Sequence, residues 1–126
     1  QGRGDEVVLA HRRLAEISAR QGDAEKATDH LEQALEVSPK QGELRLEVAR
    51  RRHESGDRER AHAHLQQVSA NADLSTLLGA ATLAVQVGDV ALGLRIGAMA
   101  IERAVGGPAR RQVETYVADL RGISQK

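Results

Sequence analysis

The sequence predicts an all-α protein in which antiparallel helix hairpins stack one on the next, and three observations support this. The segment RQGDAEKA at 20–27 returns as ESGDRERA at 54–61 and more weakly as QVGDVALG at 86–93. The glycines of these segments lie 34 and 32 residues apart, a spacing typical of a repeated supersecondary unit. Apolar residues recur at three- and four-residue steps between the copies, which indicates helices. Only Tyr116 is aromatic, whereas strands favour aromatic residues.

The first hairpin is placed by its capping residues. Asp5 is a predicted N-cap of the first helix, and the apolar steps then run to Gly22, a residue type that commonly follows a helix end. Asp23 is the predicted cap of the second helix. Pro39 ends that helix, because the residue before a proline is disfavoured in the helical region. Two antiparallel helices joined by a short turn therefore form one unit.

The same pairing is predicted twice more, with helices at about 42–55, 57–70, 74–87 and 89–104. A GGP segment at 106–108 precedes a last helix that ends near Gly122 and is either a cap or the first half of a fourth repeat. We therefore expect a single domain over 1–126, with three repeats and a terminal helix at 8–41, 42–73, 74–107 and 108–122.

Composition argues against several classes of protein. Lys plus Arg equals Asp plus Glu, at 18 each, so no overall charge attracts nucleic acid or an anionic membrane. Cysteine is absent, which excludes disulfides and thiolate metal sites and suits either cytoplasm or periplasm. The apolar run at 77–85 is too short for a membrane span. The chain begins at Gln1 without an initiator Met, so we expect it to be a segment of a longer protein.

The repeated unit resembles the tetratricopeptide repeat. The first copy has the family's leucine and small-residue pair, glycine turn, second-helix positions and closing proline, at Leu14, Ala15, Gln21, Gly22, Asp23, Ala27, Leu31, Ala34 and Pro39. The second copy keeps Val48, Ala49, Gly56, Asp57, Ala61, Leu65 and Val68, and the third keeps Ala80, Ala81, Gly88, Asp89 and Ala100.

None of the family's aromatic places is aromatic in this chain. In the three copies they hold His11, Ser18 and Leu31, then Arg45, Arg52 and Leu65, then Leu77, Ala84 and Gly97. The third copy also has Gly93 at an alanine place. Such small residues predict either a close approach of helices or a looser unit.

The resemblance implies a right-handed α-solenoid whose first helices line a concave groove, which the family uses to bind peptides or folded proteins without chemistry. By repeat register the groove would be lined by Leu9, Arg12, Arg13, Glu16, Arg20, Glu43, Leu46, Glu47, Arg50, His53, Ser75, Leu78, Thr82, Val85, Arg111, Glu114 and Arg121. This wall is charged in the first two repeats and more apolar afterwards. For each residue, a solvated helix face is the alternative interpretation.

One known ligand of the family does not fit. Co-chaperone members hold the C-terminal carboxylate of a chaperone with Lys, Asn and Arg side chains on successive first helices. Arg12 matches one basic place, but Glu16 and Glu47 stand where asparagines are expected. Ser75 and Gly79 replace the later basic residues, so the resemblance does not extend to that ligand.

Catalytic and metal-binding motifs are not evident. His62 and His64 point about 200° apart on a helix, whereas metal ligands on one helix favour a spacing of three or four residues. The arginine runs at 12–13, 50–52 and 110–111 have glutamates nearby and no stacking aromatic, which argues against nucleic acid. No nucleophile stands beside a base. We predict that the protein is not an enzyme and has neither metal nor cofactor.

These observations favour a non-catalytic interaction scaffold with a protein partner and no membrane insertion by this segment. The sequence does not determine the oligomeric state. The Arg-, Ala- and Val-rich, lysine-poor composition resembles periplasmic tetratricopeptide arrays of bacterial exopolysaccharide exporters of the pel, alginate and cellulose types. That resemblance implies a periplasmic scaffold that recruits polysaccharide-modifying enzymes beside the export pore. The alternatives are a cytoplasmic adaptor in regulation or assembly, and a structural spacer or oligomerisation segment.

Overall fold

The computed structural model describes residues 2–124, and the ends of the predicted domain, at Gln1 and residues 125–126, lie outside this range. The described chain is all-helical, which confirms the predicted fold class. In chain order the helices are α1 (Gly2–Arg20), α2 (Ala24–Val37), α3 (Gly42–Glu54), α4 (Arg58–Gln66), α5 (Leu74–Gln86), α6 (Val90–Arg103) and α7 (Gly107–Ser124).

A Gly-Asp turn joins the two helices of each hairpin. Gly22, Gly56 and Gly88 have φ angles of 81°, 87° and 98°, in the left-handed region that glycine tolerates. The amide after each glycine donates to a carbonyl of the preceding helix, over 2.8 to 2.9 Å. The turns predicted at these glycines are therefore confirmed, and α1 pairs with α2, α3 with α4, and α5 with α6.

An aspartate caps the second helix of each hairpin. The carboxylates of Asp23, Asp57 and Asp89 accept hydrogen bonds from the backbone amide three residues further on, at 2.9, 3.1 and 2.9 Å. These bonds satisfy amides that the first helical turn leaves unpaired, and each is worth about 1 kcal/mol. The same dipeptide thus ends one helix and starts the next.

Three helix ends differ from the prediction. Because α1 begins at Gly2, Asp5 lies in its first turn and is not the N-cap, although its carboxylate still interacts favourably with the helix dipole. α4 ends at Gln66, four residues early, where Val68 donates to the carbonyl three residues back and so tightens the last turn. α7 continues through Gly122 instead of ending there.

Aliphatic side chains form the core in two clusters. The smaller cluster joins α1 and α2 to α3 and includes Leu31 and Val48. The larger cluster extends from α3 to α7 and includes Leu77, Ile96 and Leu120, each of which is almost fully buried. Apolar residues are therefore used for packing between helices, and none of the described helices is long and apolar enough to cross a membrane.

The glycines of the third repeat produce a close helix approach, not a loose unit. A Cβ added at Gly97 would lie 2.8 Å from Cγ1 of Val117 on α7, and one added at Gly93 would lie 2.7 Å from Cγ2 of Val85 on α5. Real Cβ atoms do not come this close to another carbon. The absence of a side chain at Gly93 and at Gly97 therefore lets α5 and α7 pack directly against the backbone of α6 at these two positions.

The outer face of α1 is apolar and open to solvent. Val7, Leu14 and Ile17 lie on one side of this helix and are 36, 43 and 49% exposed. The residues that match Leu14 in the next two repeats, Val48 and Ala80, are fully buried. Apolar residues therefore occur on two sides of α1, as in a helix that packs against neighbours on both sides. In the described chain only one of these sides packs against other helices.

We expect Gly22→Val to lower the free energy of unfolding by about 1 kcal/mol or more, because a β-branched residue is strained at positive φ. An added Cβ at Gly22 meets nothing within 4 Å, so the loss would come from the backbone alone. Thermal or urea unfolding measures the change. Gly4→Val in α1 is the control, because that site is equally open without positive φ. An unchanged stability of Gly22→Val would contradict the turn assignment.

We expect Gly97→Ala to destabilise the protein by about 1–3 kcal/mol, because the new methyl group overlaps Val117. Val117→Ala should relieve that overlap, so the double variant should lose less stability than the sum of the two single variants. Urea unfolding of the three variants measures the coupling. Gly122→Ala, whose added Cβ meets nothing within 4 Å, is the control for helix propensity. Strict additivity would show that α6 and α7 are not in close contact here.

Candidate partner-binding groove

The first helices of the three repeats line an open cleft of about 580 Å³. It is lined by Arg12 of α1, by Glu43, Leu46, Glu47 and Arg50 of α3, and by Ser75, Thr76 and Gly79 of α5. A smaller cleft of about 340 Å³ adjoins it between α1 and α3 and shares Arg12 and Glu47 with it. The structure therefore brings predicted groove residues from all three repeats together.

Gly79 gives the cleft its floor and was not predicted as a lining residue. A Cβ at this position would lie 2.8 Å from Cδ2 of Leu46 and 3.5 Å from Nη2 of Arg50. Both side chains of α3 therefore lie across the bare backbone of α5. A glycine inside a helix costs about 1 kcal/mol relative to alanine, and this cost was the signal in the sequence that something packs closely there.

Ion pairs hold part of the cleft wall. Glu47 pairs with Arg12 across α1 and α3, at 3.6 Å, and with Arg51 on its own helix, at 3.3 Å. These side chains are more than a third exposed, so each pair contributes at most about 1 kcal/mol. The pairs fix side-chain positions more than they stabilise the fold.

Two charges of the cleft remain available to a ligand. Glu43 and Arg50 are exposed, and neither has an ion-pair partner among the residues that the structure describes. They are seven residues apart on α3, two turns along one face, or about 10 Å. An anion and a cation thus flank the apolar side chain of Leu46.

The other predicted groove residues of the first two repeats are placed as follows. Leu9, Arg13, Glu16 and Arg20 are exposed on α1, and the last two line the smaller cleft. His53 is half-buried near the end of α3.

The third repeat differs from its predicted lining. Val85 is 8% exposed and packs toward Gly93 of α6, so it belongs to the core and not to the groove wall. The repeat register places Val85 on the groove side of α5. Because Gly93 of α6 has no side chain, Val85 instead packs in the interface between α5 and α6. Leu78 is half-buried against the larger core cluster. In the second repeat, Leu46 of α3 is likewise 8% exposed, but it does line the cleft.

A hydrogen bond between hydroxyl groups joins α5 to α7. Thr82 donates to the carbonyl of Leu78 at 2.9 Å, so the hydroxyl of Tyr116 is the donor in the contact between Thr82 and Tyr116. The apolar spacing of α7 groups Tyr116 with the buried residues Val113 and Val117, yet Tyr116 is 40% exposed. Its phenol instead reaches α5, where Thr82 supplies a polar partner for the hydroxyl.

The predicted charges of α7 lie outside the main cleft. Arg111 lines a shallow depression with Pro108, Gln112 and Thr115. Glu114 and Arg121 are exposed farther along the helix. The groove residues of the first three repeats and those of the terminal helix therefore do not form one cleft.

His62 and His64, two residues apart on α4, make separate contacts. His62 pairs with Asp89 over 2.7 Å, and this hydrogen bond holds the pKa of the Asp89 carboxyl below its usual value. His64 contacts Glu32 through Nε2, at 2.9 Å, and Arg45 through Nδ1, at 3.3 Å. Among the described residues no three or more His, Asp or Glu side chains are arranged to hold a metal ion. Both rings instead connect neighbouring repeats.

A buried arginine stands in the second aromatic place of the second repeat. Arg52 is 3% exposed and pairs with Asp29 at 2.8 Å and with Glu32 at 2.5 Å, which ties α3 to α2. Burial raises the pKa of Glu32, but hydrogen bonds from Arg52 and His64 outweigh it, so this pKa lies below its usual value. Paired charges thus take the place of an aromatic contact between repeats.

Comparison with known families agrees with the helical-repeat fold. A family model of the tetratricopeptide repeat matches residues 18–90, which is more than half of the chain. The chain therefore belongs to the tetratricopeptide repeat family, and it has the family's helical-repeat solenoid fold. Repeats of this family generally mediate protein–protein interaction. No curated protein matches the sequence.

We expect Glu32→Gln to lower the free energy of unfolding at neutral pH and to weaken its dependence on pH. The carboxyl titrates near its ordinary pKa of about 4.3 in the unfolded chain and at a lower pKa in the folded protein. Its stabilisation is therefore complete above the unfolded pKa, declines as the pH falls below it, and is lost below the folded pKa.

Urea unfolding of wild type and Glu32→Gln between roughly pH 3 and pH 7 measures this effect, and the two free energies should converge toward acid. Glu36→Gln, an exposed residue of the same helix, is the matched control and should leave the pH dependence unchanged. A stability difference that is the same at every pH would rule out a role for the Glu32 charge.

Proposed function

We propose that this protein is a non-catalytic scaffold that binds a protein partner in the cleft formed by α1, α3 and α5. The observation that carries this proposal is the pair of available charges, Glu43 and Arg50, on either side of Leu46 in an open cleft of about 580 Å³. A scaffold needs such a preformed surface and no reacting groups. The family's general role in protein–protein interaction supports the same conclusion.

The cleft favours a partner segment with a matching arrangement of charges. A basic group would lie near Glu43 and an acidic group near Arg50, about 10 Å apart, with an apolar side chain between them above Leu46. A helix of the partner places residues seven positions apart at this spacing. The ion pairs of Glu47 keep the neighbouring wall in position before the partner arrives.

We further propose that the scaffold works in a bacterial exopolysaccharide secretion complex in the periplasm, where it recruits a polysaccharide-modifying enzyme. The lysine-poor, Arg- and Ala-rich composition supports this context. The absence of cysteine is compatible with it and equally with a cytoplasmic adaptor. The second candidate function is a structural spacer or oligomerisation segment, which the open apolar face of α1 favours because such a face can pack against another helix.

Capture from periplasmic and cytoplasmic extracts by immobilised protein tests the groove and the compartment together. We expect a partner to be captured by wild type and lost with Arg50→Glu, because the reversal places two like charges in the cleft. The affinity for the purified partner should fall at least tenfold, which equals about 1.4 kcal/mol.

Arg60→Glu is the matched control, because Arg60 is exposed in the first turn of α4, on a second helix of a repeat. It changes the net charge by the same amount and should bind like wild type. Equal capture by wild type and both variants would place the partner site elsewhere. Capture by none of them would favour the spacer, and the extract that yields the partner identifies the compartment.

A further inference from the structure

A further pocket lies at the edge of the solenoid, where the loop between α2 and α3 meets the loop between α4 and α5. Its volume is about 170 Å³, and its lining residues are Pro39, Lys40, Gly42, Arg45, Gln67, Val68, Ser69, Asn71 and Ala72. The pocket shares none of these residues with the cleft described above. It is therefore a separate site and does not depend on the proposed function of the groove.

Arg45 is the central residue of this pocket. Its side chain is in an aromatic place of the repeat and is only 7% exposed. One Nη2 hydrogen is donated to the carbonyl of Pro39 at 3.0 Å, and one Nη1 hydrogen is donated to Nδ1 of His64 at 3.3 Å. A guanidinium carries five N–H groups, so three have no acceptor among the residues that the structure describes.

The charge of Arg45 is also without a direct counter-charge. No carboxylate forms an ion pair with it in the described chain, whereas Arg52 on the same helix has two. His64 contacts Arg45 through Nδ1 and Glu32 through Nε2, so its imidazole lies between the cation and the nearest acid of the network. Burial lowers the pKa of Arg45, as expected for a desolvated cation. A buried cation in this state is costly until an anion joins it.

The remaining lining residues suit an anion. None of the nine is acidic. Lys40 is exposed at the mouth, and the amides of Gln67 and Asn71 and the hydroxyl of Ser69 supply neutral donors.

The α3 N-terminus adds to this set, because Gly42 lines the pocket and the N-cap Gln41 makes no side-chain cap hydrogen bond. By contrast, an aspartate caps α2, α4, α5 and α6. Unpaired amides and the positive end of a helix dipole favour an oxyanion.

We propose that this pocket binds a small oxyanion of the phosphate class, held by Arg45, Lys40 and the N-terminus of α3. Arg45 forms the fixed part of the site, because His64 and Pro39 hold its guanidinium in place. Lys40 closes the mouth over the bound group. The ligand is either free phosphate or the phosphate ester of a small molecule, since both present the same tetrahedral group.

Titration with inorganic phosphate, followed by amide chemical shifts at constant ionic strength with sodium chloride, tests this site. We expect saturable shifts at Gly42 and Ser69 with a Kd of about 1 mM or lower. Glycerol 3-phosphate in a parallel titration distinguishes the two sources, because tighter binding than phosphate identifies an ester. Sodium acetate should bind at least tenfold more weakly than phosphate.

Lys40→Gln should weaken phosphate binding at least threefold, and its exposed position makes it compatible with folding. Lys26→Gln, at another exposed lysine in the first turn of α2, is the matched control and should bind like wild type. Arg45→Gln should abolish the saturable shifts while its circular dichroism remains helical. Phosphate shifts that do not saturate, equal binding of acetate, or the same loss in Lys26→Gln would overturn the proposal.

Discussion

The turn between the two helices of each repeat is the constraint on which the rest of the structure depends. A glycine at positive φ reverses the chain, and the aspartate that follows it caps the next helix. Because three nearly identical turns occur at regular spacing, the three first helices come to lie side by side. The groove is therefore a consequence of the turns, and its chemistry is decided by the residues that α1, α3 and α5 turn toward it.

No aromatic residue occupies the family's aromatic places, and three different arrangements fill the space between helices instead. In the second repeat the space is filled by Arg45 and Arg52, which need polar partners once buried. Arg52 finds them in Asp29 and Glu32, and Arg45 finds only His64 and a carbonyl. In the third repeat Leu77 is buried at the first aromatic place, whereas Gly97 leaves the last one without a side chain and Val117 packs against its backbone.

These differences give the two faces of the solenoid different electrostatics. In the groove, Glu47 is neutralised by two arginines, while Glu43 and Arg50 stay available. At the loop edge, a cation is buried with unused donors and no acid beside it. A chain with equal numbers of acidic and basic residues thus creates local charge by the way in which it pairs them, and net charge alone does not show this.

The sequence by itself determined the helices, their turns and the order of the hairpins, because these depend on local residues such as Gly22, Asp23 and Pro39. It also indicated which helix faces carry the groove charges, since register along a repeat is a local property. Only the tertiary structure decided the environment of each side chain. Val85 is drawn into the core by a glycine on the next helix, and Tyr116 is drawn out of it by a threonine 34 residues away. Arg45 and Arg52 are alike in sequence and differ in pairing, because carboxylates from α2 reach one of them and not the other. Such contacts join residues that are distant along the chain, so periodicity and spacing do not encode them.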